Sequence, residues 1–394
     1  MNTRSIGTER IARLQRGLAE RDIAAMVCLK PENSFYLSGF NPIIYSHPVV
    51  AILPAQGEPT LLVHALRDDH ARGSAWVGDV RLYGAWSTKK TMGPNWLDAL
   101  TEIMREHGAA EARIGIEEDF LPLSRSRQFE RAFPKASFAD VSSIIAASRL
   151  LKEPYEIECA RIACRIADRG METAIAAVAA GADEREVSVA AMAAMNEVWL
   201  RDYPDIEVCD FGSLEGGVHN GLWCYALTGA RVPMNADNPK RIKPKPGELV
   251  LIIIWTNCNG IHGENERTVA FGAPAPERRA AYEAVLEIRH RTQGLMRPGT
   301  TVRDLFLAAK KEYVRLGYEK NVPGRIGHGM GLGAHEAPSL EAATETVLAP
   351  NMVITFEPNL RLPEWGGLQH SDTVLITDTG HEFLTTTERG LIQV

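Results

Sequence analysis

Apolar residues recur every three or four positions in some stretches of this chain and every second position in others. The spacing predicts a helix over 8–20 and strands over 24–29, 48–53 and 60–63, with further helix and strand between 96 and 116. Such alternation predicts an α/β domain over residues 1–150. Ser148 to Pro154 reads as a linker into a long helix, because proline is tolerated in a first helical turn. Beyond it, Ile157, Ala160, Cys164, Ala167 and Met171 form an apolar stripe at helical spacing. Asp183 and Glu186 make a capping box for the next helix, and amphipathic helices are predicted over 276–295 and 302–316. Strongly β-like segments lie between and after them, so residues 151–394 are predicted to form helices laid on an antiparallel sheet, an α+β layer.

One hairpin organises the polar residues of this second part. Residues 249–255 are a β-branched run, and Asn259-Gly260 is a two-residue turn signal, since both positions tolerate positive φ. That turn pairs Asn257 with His262, Trp255 with Glu264 and Ile253 with Glu266. The two-residue side-chain period then puts His262, Glu264 and Glu266 on one face with Trp255 and Ile253. Two carboxylates on a partly buried wall repel when both are ionised, which raises one pKa and leaves a proton donor beside an acceptor. A solvated face is the plainer reading, but Ile and Trp are rarely displayed to water together.

Two more segments carry candidate chemistry. In the stretch from Gly327 to Pro338, glycines allow close backbone approach while His328 and His335 stand seven positions apart. Glu357 lies in the apolar run from Val353 to Pro358, where a buried carboxylate needs a partner. His219, in a glycine-rich stretch, reads equally well as a surface turn. Alternation points His370 away from the face of Ser371, outside the core site.

Composition narrows the functional classes. A chain of 394 residues with 45% apolar and 24% charged positions is expected to be globular, soluble and of two domains. A net charge of -7 without a basic tract argues against nucleic acid and membrane partners. The first ten residues lack the apolar core of a signal peptide, which leaves the cytoplasm as the expected location. Six cysteines without a CxxC pair are expected to be reduced, and mostly small core residues.

The strings "GHGMGLGAHEAPSL" and "ITFEP", with "PGELVLI" upstream and "SRLLKEPYEIE" at the linker, resemble the pita-bread superfamily that includes methionine aminopeptidase, Xaa-Pro aminopeptidase, prolidase and creatinase. The resemblance implies a creatinase/prolidase-type α/β amino-terminal domain and a pita-bread catalytic domain. In the peptidases two metals are held by Asp, Asp, His, Glu and Glu. Those positions fall on Ile253, Glu264, His328, Glu357 and Ser371. Isoleucine cannot ligate, and serine replaces a bridging carboxylate poorly.

"NGIHGENERTVAF" is similar to creatinase, and the similarity implies that Glu266 grips a cationic nitrogen group and that His262 faces the substrate. Creatinase's catalytic histidine falls near Ala236, and the arginine that follows its histidine loop falls on His335. Its Phe and Arg that cross the dimer fall on Tyr45 and His47. The resemblance thus implies a homodimer in which Tyr45 and His47 enter the neighbour's site.

The first expectation is therefore a hydrolase working without metal or other cofactor on a C–N bond of a small amidine, guanidino or cyclic nitrogen compound. Glu264, Glu357, His328 and His335 would do the chemistry, with Glu266, His262, Trp255, Tyr45 and His47 binding substrate. The second is a metal-dependent Xaa-Pro peptidase or lyase with an altered site built from Glu264, His328 and Glu357. The third is a non-catalytic binding protein of the same fold.

Overall fold

A computed structural model describes residues 7–208, 210–211, 221–234 and 237–394. They divide into two compact units, one running to Arg149 and including Asp210 and Phe211, the other starting at Leu150.

The first unit is α/β. Among the described residues it holds β1 (Ala25–Cys28), β2 (Val50–Pro54), β3 (Thr60–His64), β4 (Asp79–Tyr83), β5 (Arg113–Ile116) and β6 (Ser137–Asp140), in the order β4-β3-β2-β1-β5-β6. β1 is buried at all four positions, as its unbroken apolar run requires of a central strand. Val27, Ile52, Leu62 and Ile114 pack with Leu100, Ile103 and Phe129 from the covering helices Trp96–Glu106 and Leu123–Ala132. Tyr45 is 5% exposed within a neighbouring cluster of Phe40, Val49, Leu61 and Val63. The His47 ring lies 4.2 Å from that of His64.

The second unit is built on an antiparallel sheet. Its strands are β7 (Leu222–Thr228), β8 (Leu249–Cys258), β9 (Ile261–Ala270), β10 (His328–Gly329), β11 (Glu336–Ser339), β12 (Val353–Phe356), β13 (Leu360–Leu362), β14 (Gly366–Leu368), β15 (Ser371–Ile376), β16 (His381–Phe383) and β17 (Ile392–Gln393). The main path is β11-β10-β12-β15-β9-β8-β7; β17 adds to β9 in parallel, and β13 and β14 form a separate hairpin. Helix Pro154–Ala179 opens where Glu156 reaches back to the Glu153 N–H at 2.9 Å. The Asp183/Glu186 capping box opens helix Glu184–Asp202.

The β8–β9 hairpin has the register that the Asn-Gly turn dictates. Asn259 and Gly260 take φ of 49° and 84°, and Asn257 pairs with His262, Trp255 with Glu264, and Ile253 with Glu266. One face of β9 meets helix Pro154–Ala179: Asn265 Nδ2 donates to Asp168 Oδ1 at 2.8 Å, and a Cβ on Gly263 would stand 3.0 Å from that of Ala163. Glu264 and Glu266 therefore project from the face away from that helix. A second core joins helices Pro276–Thr292 and Val302–Arg315 to Leu249, Ile354, Phe356 and Val374.

Cys28, Cys159, Cys164, Cys224 and Cys258 are free and buried; Cys209 lies outside the described residues. Among the described residues, no helix is long and apolar enough to cross a membrane.

Candidate active site

Four chain segments converge on one cavity of about 890 Å³ lined by Ile253, Trp255, Glu264, Glu266, His328, His335, Glu357 and Gln369, among others. β8 and β9 supply Trp255, Glu264 and Glu266, β10 supplies His328, the residue after β12 is Glu357, and Gln369 precedes β15. Glycine is required at Gly327 and Gly329, where a Cβ would stand 2.2 Å from the Thr355 carbonyl oxygen and 2.0 Å from that of Ala337. Only a bare backbone can thread His328 between β11 and β12.

Glu264, His328 and Glu357 form a triad. His328 Nε2 lies 3.1 Å from Glu357 Oε1 and 3.6 Å from Glu264 Oε2. Nδ1 is 3.0 Å from the Gly329 carbonyl, which accepts its hydrogen and leaves Nε2 as the ring atom turned toward the two carboxylates. Thr355 Oγ1 donates to Glu357 and accepts from the His328 backbone N–H, and Trp255 Nε1 donates to Glu264 Oε2 at 2.8 Å. Hydrogen bonds of this kind hold metal ligands in orientation.

The electrostatics describe an anion-rich pocket. Burial opposes charging of His328, but bonding and attraction to Glu264 and Glu357 prevail and raise its pKa to about 10. Burial raises the Glu264 carboxyl, yet His328 brings it below its ordinary value. Burial and then the neighbouring Glu264 and Glu357 push Glu266 well up. Glu266 Oε2 is buried without a hydrogen-bond partner, and the Ser371 hydroxyl lies beside the Glu264 carboxylate, a crowding of buried oxygens that a bound cation would relieve.

The residues fit one divalent ion. Among the described residues, one ligand atom from each of Glu264, His328 and Glu357 lies within 4.8 Å of the others, and the carboxylate and imidazole donors suit a divalent cation. They do not fit two ions, because Ile253 and Ser371 flank Glu266 in register where further carboxylates would be needed.

Comparison with known proteins also points to a metal. A profile for metallopeptidase family M24 matches residues 158–378, more than half of the chain. The chain belongs to metallopeptidase family M24. A creatinase/prolidase amino-terminal domain matches residues 10–151 of this M24 protein. It is 30% identical to the Xaa-Pro dipeptidase of Pyrococcus furiosus, over 98% of this chain and 99% of that one. The Xaa-Pro dipeptidase of Lactobacillus helveticus is 26% identical over 96% and 97%. The crystal structure of the prolidase from Pyrococcus horikoshii superposes with a TM-score of 0.81 at 26% identity, covering 98% of this chain and all of that one. As an M24 protein the chain is a hydrolase with a pita-bread catalytic domain.

These findings correct the first expectation. Metal-independent hydrolysis, the absence of a cofactor, and a small amidine, guanidino or cyclic nitrogen substrate give way to a metallopeptidase assignment and a convergent triad able to hold a metal ion. The physical reason is that the loss of ligands at Ile253 and Ser371 rules out a pair of ions but leaves three donors for one.

Other candidates separate. His335 joins the site, its ring 4.3 Å from His328 and 5.4 Å from Trp255, and burial, then the His328 charge, lowers its pKa. His262 stands apart from the cavity lining; its Nδ1 is 3.0 Å from the Gly331 carbonyl and its Nε2 3.3 Å from Asn257 Nδ2. Tyr45 sits in its own unit's core, where packing with Phe40 and Val49 already buries it, rather than on a surface offered to a neighbour. His370 is buried with Nε2 3.6 Å from Asp372. His219, Asn235 and Ala236 lie outside the described residues. Sequence reasoning missed Thr355 and Gln369, whose Nε2 donates to Glu266 Oε1 at 2.9 Å. Their only signal was position, each two residues before a mapped ligand position.

Proposed function

We propose that this protein is a metal-dependent peptidase of short substrates, with Xaa-Pro dipeptides the first class to test, working with a single divalent ion at Glu264, His328 and Glu357. The observation that carries the reading is the His328 ring: its Nδ1 hydrogen is spent on Gly329, so Nε2 faces the Glu264 and Glu357 carboxylates, where a divalent ion would take the place of the proton they hold on it. The relatives named above are Xaa-Pro dipeptidases along nearly their whole length, which supports the substrate class.

A divalent ion there supplies Lewis-acid polarisation of a carbonyl and a water acidic enough to attack near neutral pH. The chain's own residues do the rest. Trp255 and Thr355 hold the two ligand carboxylates in orientation. Glu266, steadied by Gln369, presents one buried oxygen as a hydrogen-bonding partner for a nitrogen of the substrate. His335, kept neutral by its surroundings, accepts a proton from water and returns it to the departing nitrogen. A homodimer belongs to the same proposal; Ile43, exposed in the apolar segment 35–47, supports it, and light scattering checks it.

The test is elemental analysis with chelation. Purified protein should carry about one Mn or Zn ion per chain, and EDTA should abolish Ala-Pro hydrolysis. His328→Ala should lose the ion and lower kcat/KM by at least about 100-fold. Metal well below stoichiometry, with turnover that survives EDTA, overturns the proposal.

A further inference from the structure

Behind the candidate site, on the opposite face of the sheet, lies a charged cluster that none of the chemistry above uses. Asp372 and Arg267 are fully buried and Arg289 is 5% exposed. Arg267 Nη2 donates to Asp372 Oδ1 at 2.7 Å and to the Thr387 carbonyl at 2.9 Å. Its Nη1 donates to the carbonyls of Glu266 and Ser371, each at 2.8 Å, and its Nε to that of Glu388 at 2.8 Å. All five guanidinium hydrogens are thereby used. Arg289 Nη2 pairs with Asp372 Oδ2, while its Nη1 donates to the carbonyls of His370, at 2.7 Å, and Phe356. Thr385 Oγ1 adds a third donor to Asp372 at 2.6 Å.

The carbonyls held in this way belong to the site-bearing strands. Glu266 is two residues from the ligand Glu264, Phe356 immediately precedes the ligand Glu357, and Ser371, with His370 just before it, begins the strand between them. Asp372 sits in register between Asn265 of β9 and Phe356 of β12. That middle strand offers no ligand: where a paired-metal site would place a carboxylate, Ser371 stands. The ion therefore cannot itself tie β15 to its neighbours, and the spacing of Glu264 from Glu357 rests on the strand pairing and on what braces it from behind. Burying three charges is a poor way to add stability, since well-packed apolar replacements of such clusters are often neutral or stabilising. What forked arginines provide is geometry, because each planar guanidinium fixes two carbonyls at once.

We infer that Arg267, Arg289 and Asp372 are positioning residues, a buried clamp that sets the separation of β9 and β12 across β15 and thereby the affinity for the divalent ion. The inference rests on the proposed reading that Glu264, His328 and Glu357 hold that ion. Arg289 acts from helix Pro276–Thr292, so the clamp also fastens that helix to the site strands.

Calorimetric titration of the full chain with Mn²⁺, after chelation and dialysis, tests it. Arg289→Lys keeps a positive charge beside Asp372 but loses the fork, and it should weaken Mn²⁺ binding by about 10–100-fold, as should Arg267→Lys. Val285→Ala, in the core-facing row of the same helix, should lower the melting temperature while leaving the Mn²⁺ dissociation constant within about twofold of wild type. Folded Arg289→Lys protein that binds Mn²⁺ as wild type does overturns the clamp. So does a Val285→Ala variant that loses as much affinity as the arginine variants. If Arg267→Lys fails to fold, Arg289→Lys decides. Wild-type protein that binds no Mn²⁺ brings down the metal reading and the clamp with it, an outcome distinct from normal wild-type binding with unaffected variants.

Discussion

Glu117, in the first unit, shows how one buried residue makes stability depend on pH. Its Oε2 accepts from the Leu29 and Lys30 backbone N–H groups at 2.7 and 2.9 Å, and its Oε1 from Asn33 Nδ2 at 2.7 Å, so it ties down the chain where it enters helix Pro31–Ser38. Burial, only partly offset by those donors, pushes its pKa up to about 7. A raised carboxyl pKa means that the folded state binds the proton more tightly than the unfolded chain. Stability should therefore fall as pH rises from about 4.5 to about 7, by up to about 3 kcal/mol. Urea titrations at pH 5 and 7.5 check this, and in Glu117→Gln the difference should largely vanish. The candidate ligands Glu264, His328 and Glu357 were legible at this scale because their residue types and spacing carry chemistry. Thr355 and Gln369 were not, because a threonine or glutamine gains its role only from the neighbour it meets.

Among the elements, the β8–β9 hairpin was the most legible, register included. Its turn chemistry is local: Asn259 and Gly260 both occupy positive φ, and the alternation that follows is set by the pleat. Gly260→Val should destabilise the protein by about 1–2 kcal/mol, the cost of a left-handed conformation for a residue with a Cβ. A denaturation curve coincident with wild type would show the turn to be slack. A one-residue slip would send Glu264 and Glu266 to the helix side, so hydrolysis should fall along with stability. By contrast β10, two residues long, and its place between β11 and β12 were not readable, since those pairings join segments distant in sequence and follow from packing rather than from local pattern.

At the scale of the whole molecule the metal count is the property most open to redesign. Ile253 and Ser371 stand opposite Glu266 in register on its two flanking strands, the two positions at which the paired-site pattern needs carboxylates. The double substitution Ile253→Asp with Ser371→Glu should raise the metal content from about one to about two ions per chain by elemental analysis. An unchanged count would mean that the two added carboxylates do not converge on a second ion. By itself, the sequence determined the α/β first unit, the antiparallel second unit, the hairpin register and the set of candidate ligands, because each follows from side-chain period, turn chemistry or residue type. Only the tertiary structure decided that three of those ligands meet, that His262 reaches the Gly331 carbonyl while Tyr45 packs in its own unit's core, and that Asp372 joins two arginines behind the site. Convergence of this kind requires strands far apart in the chain to be brought side by side, and it is the shared core and its buried hydrogen bonds, rather than any local pattern, that select the arrangement.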